Sequence, residues 1–216
     1  DEDDGCRLTM KRKPTLFDGA VTVLFGTAIY GVFYAFVIWI PKYAAGYAGM
    51  ELAESLRTVT YYGTGPFIGV ILSALLLVRI IRPVLMILIL PIIATVTSAV
   101  IYLHPTPAVC KIGAFIIGFT AAGGLLQIGV SVLSEFFPGN KARMTGIYMF
   151  FGTIANFGVP LVTGFISKVS IRGIILFDTL VGLVSVILGV TVFIRYYMIF
   201  EINEQDKRIG ETLCRF

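Results

Sequence analysis

Two amide side chains, Gln127 and Asn156, stand inside long segments of this sequence that carry no charge. An amide in such a segment is costly in lipid unless it faces protein or water. Each is therefore predicted to meet a polar molecule in a water-filled site or to hydrogen bond to a neighbouring helix. Tyrosines in similar segments add hydroxyl groups that hydrogen bond and rings that stack, and they are Tyr30, Tyr34, Tyr61, Tyr62 and Tyr148.

The residues that usually carry catalysis or bind metal ions are few and poorly placed. The single histidine, His104, lies in a Leu-His-Pro-Thr-Pro turn. The three cysteines, at positions 6, 110 and 214, have no metal-ligand spacing. The sequence contains no Gly-x-Ser-x-Gly elbow, phosphate-binding loop or dinucleotide fingerprint. It is therefore predicted not to be an enzyme and to hold no cofactor or metal.

The elements that must position these side chains are indicated by the spacing of the charged residues. Five gaps between successive charges enclose 21 to 28 residues each, and a sixth, from Asp178 to Arg195, encloses 16. Apolar residues before Asp178 lengthen that last segment. A helix needs roughly 20 apolar residues to cross the hydrocarbon core of a bilayer. Only a helix or a closed barrel satisfies its backbone there. An all-α membrane protein with six transmembrane helices is predicted.

Composition indicates the same class of protein. Of the 216 residues, 57% are hydrophobic and 14% are charged, and the mean hydropathy is +0.90. A soluble domain carries about 25% charged residues. The net charge of +4 is small and dispersed, which argues against a nucleic-acid partner. The expected surroundings are a lipid bilayer.

Turn residues and apolar runs set the predicted boundaries. Six helices are expected at about 16–41, 55–78, 84–103, 108–135, 142–168 and 172–200. Residues 1–15 are expected to form a polar linker or tail, 16–200 the transmembrane bundle and 201–216 a second tail. The chain opens on an acidic stretch with no initiator Met and no apolar signal segment. We expect it to be the back part of a longer polypeptide.

The distribution of basic residues predicts the orientation. Of the 17 Lys and Arg residues, 12 fall in the N-terminal tail, in the second and fourth connections, and on the C-terminal side from Arg195 onward. Basic loops belong on the cytoplasmic side, so both termini are expected there, in a multi-pass protein of the cell membrane.

Glycine and proline indicate how the helices meet. Glycines cluster at Gly63–Gly69 and Gly118–Gly124, and small residues let helices approach closely in lipid. Pro66 is followed after seven residues by a serine, and Pro160 shows the same interval in the fifth helix. The second and fifth helices are predicted to cross the membrane in opposite directions, so the shared interval favours a three-plus-three inverted repeat.

Three stretches resemble motifs of the major facilitator superfamily of transporters. Residues 133–146, Leu-Ser-Glu-Phe-Phe-Pro-Gly-Asn-Lys-Ala-Arg-Met-Thr-Gly, resemble the loop between the tenth and eleventh helices of that family. Residues 158–164 resemble its Gly-x-Pro-x-x-x-Gly helix ending, and Arg79 to Arg82 matches its short basic hairpin. The acidic residue that usually precedes the hairpin is missing from residues 72–78. The resemblance covers nearly the whole chain, as the C-terminal six-helix half of a twelve-helix transporter.

This resemblance implies alternating access with a second six-helix half, from the same polypeptide or from a partner chain. The first, second, fourth and fifth helices of the half would line a cavity for a small polar solute. Tyr30 and Tyr34, Tyr61 and Tyr62, Gln127, Tyr148 and Asn156 are then the expected solute-binding residues. The basic hairpin residues Arg79 and Arg82 are expected at the inner gate, together with Glu135 and Arg143. Glu135 is expected to pair with Arg143 or Arg79 when the inner face closes.

No charged residue lies at the middle of a predicted span. Coupling to a co-transported proton or ion is therefore expected from the missing half or from edge carboxylates. Asp178 is expected to pair with Arg172. Two alternatives stay open, a self-contained six-helix channel or carrier and a homodimer of this half. The sequence lacks paired Asn-Pro-Ala boxes and a Thr-Val-Gly-Tyr-Gly filter.

Overall fold

The described chain is helical almost throughout. The computed structural model describes residues 12–79 and 83–200, without the side chains of 73–83 and 121–123. The α-helices are α1 Leu16–Tyr47, α2 Leu52–Arg79, α3 Pro83–Leu103, α4 Pro107–Ile117, α5 Leu126–Phe136, α6 Lys141–Ser167 and α7 Ile171–Ile199. A π-helical segment, Gly118–Leu125, joins α4 to α5, and a 3₁₀ turn, Pro138–Asn140, precedes α6. Within those ranges there is no β-strand.

Four stretches of the described residues are long and apolar enough to cross a membrane. They are Leu16–Tyr47, Val84–Leu103, Pro138–Ser167 and Ile171–Ile199. The segments α4, π and α5 follow one another without a break in the helical backbone. The all-α class and a set of apolar helices are thus confirmed. That six helices cross the membrane, and that they form an inverted repeat, stay predictions.

Local signals explain where the helices begin. Thr15 and Asp18 form a capping box at the start of α1. The hydroxyl oxygen of Thr106 accepts a hydrogen bond from the Val109 amide at the start of α4, and Ser170 caps α7 in the same way. Such caps satisfy backbone N–H groups that the first turn leaves free.

The first helix is longer than predicted. It continues through Pro41 to Tyr47, and α2 already begins at Leu52. Burial explains the extension, because Tyr43 is fully buried and its hydroxyl donates to the Ile101 carbonyl at 3.0 Å. The chain turns at Gly49, whose φ of 65° suits glycine.

The bundle is built around α1. This helix packs against α2, α5, α6 and α7, and α3 packs against α7. Half of the most apolar stretch of α1 is buried, against 17% for the span that contains α6. Large apolar side chains of α2 and α6 face outward, among them Phe67 at 72% and Phe157 at 79% exposure. The outer faces of α2 and α6 therefore meet lipid or another protein.

Glycines bring α2 into backbone contact with the end of α4. A Cβ atom on Gly65 would lie 2.5 Å from the Phe119 amide nitrogen and 2.6 Å from the Phe115 carbonyl oxygen. A Cβ atom on Gly118 would overlap the Tyr62 carbonyl oxygen. Only glycine fits at these two positions, so the predicted close approach is confirmed for this pair.

Polar contacts fasten the two ends of the bundle. At one end, here called the Asp18 end, Asp18 forms an ion pair with Arg195, and Tyr196 donates to Glu135 at 2.7 Å. At the opposite end, the Glu54 end, Lys111 pairs with Glu54. Contacts at the Asp18 end join α7 to α1 and α5, whereas Lys111 joins α4 to α2.

Candidate functional site

Four of the predicted site residues form a row across the bundle, in the order Tyr148, Tyr30, Tyr34, Tyr62. The rings of Tyr148 on α6 and Tyr30 on α1 lie 6.5 Å apart. Tyr34 lies one turn further along α1, and the ring of its neighbour Phe33 lies 5.0 Å from the Tyr34 ring and 5.7 Å from the Tyr62 ring on α2. This tyrosine row connects α6 to α2 through α1.

Glycines make room for the tyrosine row. Tyr148 is 1% exposed and lies against Gly26 of α1 and Gly129 of α5, where a Cβ atom would overlap its ring or hydroxyl. Tyr30 lies against Gly152 of α6 in the same manner. The glycines of these helices therefore position aromatic side chains as well as backbones, which the sequence pattern alone did not reveal.

Several polar atoms at the row lack hydrogen-bond partners. The hydroxyl oxygens of Tyr62 and Tyr148 are buried without a partner in the part of the chain that the structure describes. The same holds for Oδ1 of Asn156, two helical turns beyond Tyr148 on α6. Buried polar groups are nearly always paired in folded proteins, so each unpaired atom calls for an explanation.

Two predicted residues lie at the surface of the bundle. Gln127 is exposed on α5, and its backbone carbonyl accepts a hydrogen bond from the hydroxyl of the exposed Ser131. Tyr61 is 44% exposed at the Glu54 end. There it lines a shallow depression with Pro107, Ala108, Lys111, Ile112 and Phe115. Tyr61 and its neighbour Tyr62 thus point in different directions, one outward and one toward Phe33 and Phe36.

The predicted gate residues are found in different situations. Glu135 accepts the hydrogen bond from Tyr196, and Arg143 is exposed. The side chains of Arg79 and Arg82 lie outside the described residues. The pairing of Glu135 with Arg143 or Arg79 stays a prediction.

The predicted ion pair between Asp178 and Arg172 is wrong. Asp178 accepts a hydrogen bond from Ser98 of α3 at 2.9 Å. Arg172 instead donates to the Tyr102 carbonyl at 3.3 Å and stacks over the Tyr102 ring. Six residues along a helix place two side chains roughly 120° apart around its axis, which explains why the two face different neighbours.

Sequence reasoning missed Ser98 as the partner of this buried carboxyl group and Thr179 as the neighbour of Ser98. The Thr179 hydroxyl lies 3.1 Å from the Ser98 oxygen. Serine and threonine are common in apolar helices, so only the position of Asp178 inside an apolar run was a usable signal.

Among the described residues, no three His, Cys, Asp or Glu side chains come together in a way that would hold a metal ion.

Three known proteins are similar to most of this chain. It is 48% identical over 203 residues to the inner membrane transport protein YdiN of Escherichia coli (strain K12), a match of 94% of this chain and 48% of YdiN. It is 34% identical to the inner membrane transport protein YdiM of the same organism, over 88% of this chain and 49% of YdiM. The uncharacterized MFS-type transporter YfkL of Bacillus subtilis (strain 168) is 32% identical, over 83% and 45%.

The chain belongs to the major facilitator superfamily. No protein-family model matches it. It spans about half the length of the relatives that it matches. Membership of the superfamily agrees with the apolar helices of the bundle and with a multi-pass membrane protein.

Proposed function

We propose that this chain is the C-terminal half of a transporter that moves a small polar organic solute across the cell membrane by alternating access. A second six-helix half completes the solute site and moves against this one, and both termini lie in the cytoplasm. The buried, unpaired polar atoms of the tyrosine row and Asn156 carry the proposal. They are hydrogen-bonding groups of this half that a solute or a second half would satisfy.

The architecture supports a two-half transporter. The relatives that are named transport proteins are about twice as long as this chain. The α2 and α6 faces are apolar and exposed, as expected for surfaces that meet the second half and lipid. The resemblance of residues 133–146 to a loop near the end of the superfamily fold supports the proposal that this half is the second one.

The chemistry of the site favours a neutral polar solute. The tyrosine row and Asn156 supply hydroxyls, an amide and aromatic faces, and Gln127 adds an amide on an exposed face of α5. Aromatic rings stack on the apolar faces of a solute, while amides and hydroxyls bind its polar groups. A sugar-like compound has both kinds of surface. Any charge on the solute would be neutralised by the second half.

The inner gate is proposed at the Asp18 end. Glu135 is held by Tyr196 in this structure, and in the inward-closed state it would pair with Arg143 or Arg79. Cysteines placed at 135 and 143 in the full-length protein should cross-link more readily when the solute is supplied from the outside. A cross-linking yield that ignores the solute and its side of addition would contradict the gate.

The solute can be found with the purified full-length protein. A thermal-shift screen of sugars, polyols and other polar organic compounds should identify one that raises the melting temperature. The same compound, radiolabelled, should then exchange across proteoliposomes in a counterflow assay. Asn156→Ala and Gln127→Ala should each slow counterflow about tenfold, the equivalent of one lost hydrogen bond.

Thr191→Ala is the matched control, because the Thr191 hydroxyl donates to the Ile187 carbonyl of its own helix, away from the row. Counterflow at the normal rate in both amide variants would show that neither amide binds the solute.

The intact mass of the native polypeptide distinguishes a two-half transporter from a homodimer or a channel. A mass near twice the 23.6 kDa of this chain supports one transporter of two halves, and a mass matching the chain alone points to a homodimer or a channel.

A further inference from the structure

Asp178 is a carboxyl group buried inside the bundle with one of its two oxygens unpartnered. The residue is 1% exposed and lies about 10 Å along α7 from Ile171, at a rise of about 1.5 Å per residue. Its Oδ2 atom accepts the hydrogen bond from Ser98. Its Oδ1 atom is buried and has no hydrogen-bond partner among the described residues.

The neighbours of Asp178 supply hydroxyl groups rather than a positive charge. Ser98 of α3 donates a hydrogen bond to the carboxyl group, and the hydroxyl of Thr179 lies 3.1 Å from the Ser98 oxygen. On α7 itself, Arg172 is engaged at the Tyr102 carbonyl. The ion pairs within the described ranges are Lys111 with Glu54 and Arg195 with Asp18. Asp178 therefore has no described cation as its partner.

A carboxylate in this position would be a buried charge without compensation. The transfer of an isolated charge into an apolar interior costs far more than the transfer of the neutral acid. A proton on Oδ1 removes the charge and leaves the Ser98 hydrogen bond in place.

We propose that Asp178 is a reversible proton-binding site inside this half of the transporter. The carboxyl group holds a proton in the packing seen here and releases it to water when a movement of the helices packed against α7, which are α1, α3 and α6, lets water reach Oδ1. The proposal deepens the alternating-access function and rests on it, because that function supplies the movement. Intramembrane carboxyl groups of this kind serve proton relays in other transport proteins.

Infrared pH-difference spectroscopy of the purified full-length protein tests the site without any solute. A protonated carboxyl group gives a C=O stretching band that vanishes when the proton is lost. We expect wild type to show such a band, disappearing as the pH rises, and Asp178→Asn to lack it. Ser98→Ala should shift the band, because it removes the hydrogen bond to Oδ2. Asp18→Asn is the control and should leave the band unchanged, since Asp18 is paired with Arg195.

Identical bands in wild type and Asp178→Asn would overturn the proposal. So would a band that persists at every pH at which the protein stays folded, because the proton would then be fixed. If Asp178→Asn does not fold, a shift of the band in Ser98→Ala assigns the band to Asp178. A band that Ser98→Ala does not shift would then overturn the proposal. The infrared result does not depend on counterflow, so failure of the site and failure of the proposed transport function are distinguishable.

Discussion

Tyr148 and Tyr43 are both buried, but in the described part of the chain only one of their hydroxyl groups has a hydrogen-bond partner, so we expect one to bind solute and the other to stabilise the fold. The Tyr148 hydroxyl is buried and unpaired among the described residues, whereas the Tyr43 hydroxyl donates to the Ile101 carbonyl. Both residues are buried and both lie on helices of the bundle. A hydroxyl that is paired within the protein stabilises the fold, and an unpaired one is costly unless it binds something else.

Tyr148→Phe should therefore weaken solute binding about tenfold while the thermal stability of the solute-free protein stays the same or rises. Tyr43→Phe should do the reverse, lowering the stability by about 1 kcal/mol with little effect on affinity, because a buried carbonyl loses its partner. Thermal unfolding and equilibrium binding of the two variants are the measurements. A loss of stability in Tyr148→Phe without a loss of affinity would assign this hydroxyl a structural role.

The ion pair at the Asp18 end is a second residue-scale feature with a measurable consequence. The Asp18 side chain is 2% exposed and its Oδ1 atom lies 2.8 Å from Nε of Arg195. Oδ2 accepts hydrogen bonds from the amide and hydroxyl of Thr15, each at 2.7 Å. The carboxylate thus both caps α1 and fastens α1 to α7.

Arg195→Ala should destabilise the protein by about 3 kcal/mol, because it leaves a buried carboxylate without its cation. The double variant with Asp18→Asn should recover part of that loss, since the uncompensated charge disappears. Chemical denaturation in mild detergent measures both. Arg143→Ala, which removes an exposed arginine, is the control and should change stability little. A loss of similar size in Arg143→Ala would mean that the loss of any positive charge, rather than of the buried ion pair, lowers the stability.

At the scale of elements, the contact between α2 and the π-helical segment is the feature that constrains movement. π-Helical turns are rare and are often found at functional sites. Here the segment Gly118–Leu125 begins at a glycine on which a Cβ atom would overlap the Tyr62 carbonyl oxygen of α2. The same α2 carries Gly65 against the backbone of α4. A side chain at this crossing would push α2 away from α4 and displace Tyr62 from the tyrosine row.

Gly65→Ala should lower stability by about 1–3 kcal/mol, the usual cost of overpacking. It should also reduce solute affinity, because Tyr62 moves. Gly63→Ala, on the same helix, is the matched control, since a Cβ atom there has no neighbour within 4 Å. Equal effects of the two substitutions would show that helix propensity, not the backbone contact, is responsible. Thermal unfolding and binding again report both quantities.

At the scale of the whole molecule, the exposed faces should divide between the second half and lipid. Gln127 is exposed on α5, and Ile187 is 65% exposed on α7. An amide that faced lipid would be costly, whereas an isoleucine there is favourable. Gln127 is therefore expected to face the second half and Ile187 the bilayer.

A photo-activated cross-linking residue at position 127 of the full-length protein should join the two halves. After proteolysis of the linker between them, the halves should stay together on a denaturing gel. The same residue at position 187 should instead label lipid and leave the halves separate. Cross-linking of the halves from position 187, or labelling of lipid alone from 127, would contradict the assignment of the two faces.

The apolar segments, their approximate ends and the family were determined by the sequence alone. Hydrophobicity is local, and caps such as Thr106 and Ser170 act within a single turn, so the helix starts after residues 106 and 170 were predictable within about one residue. The end of α1 was not, because Tyr43 is buried against α3, a helix some sixty residues later in the chain. The π-helical segment likewise has no local pattern that distinguishes it from an α-helix.

The partners of the polar side chains were decided only by the tertiary structure. Asp178 bonds to Ser98 rather than to Arg172, and Tyr62 turns inward while Tyr61 stays exposed. Such choices depend on how each helix is rotated about its own axis. That rotation is set by contacts between distant glycines and large side chains, such as Gly152 against Tyr30. The sequence names the polar groups, and the packing of the helices determines which of them are paired and which are left to bind.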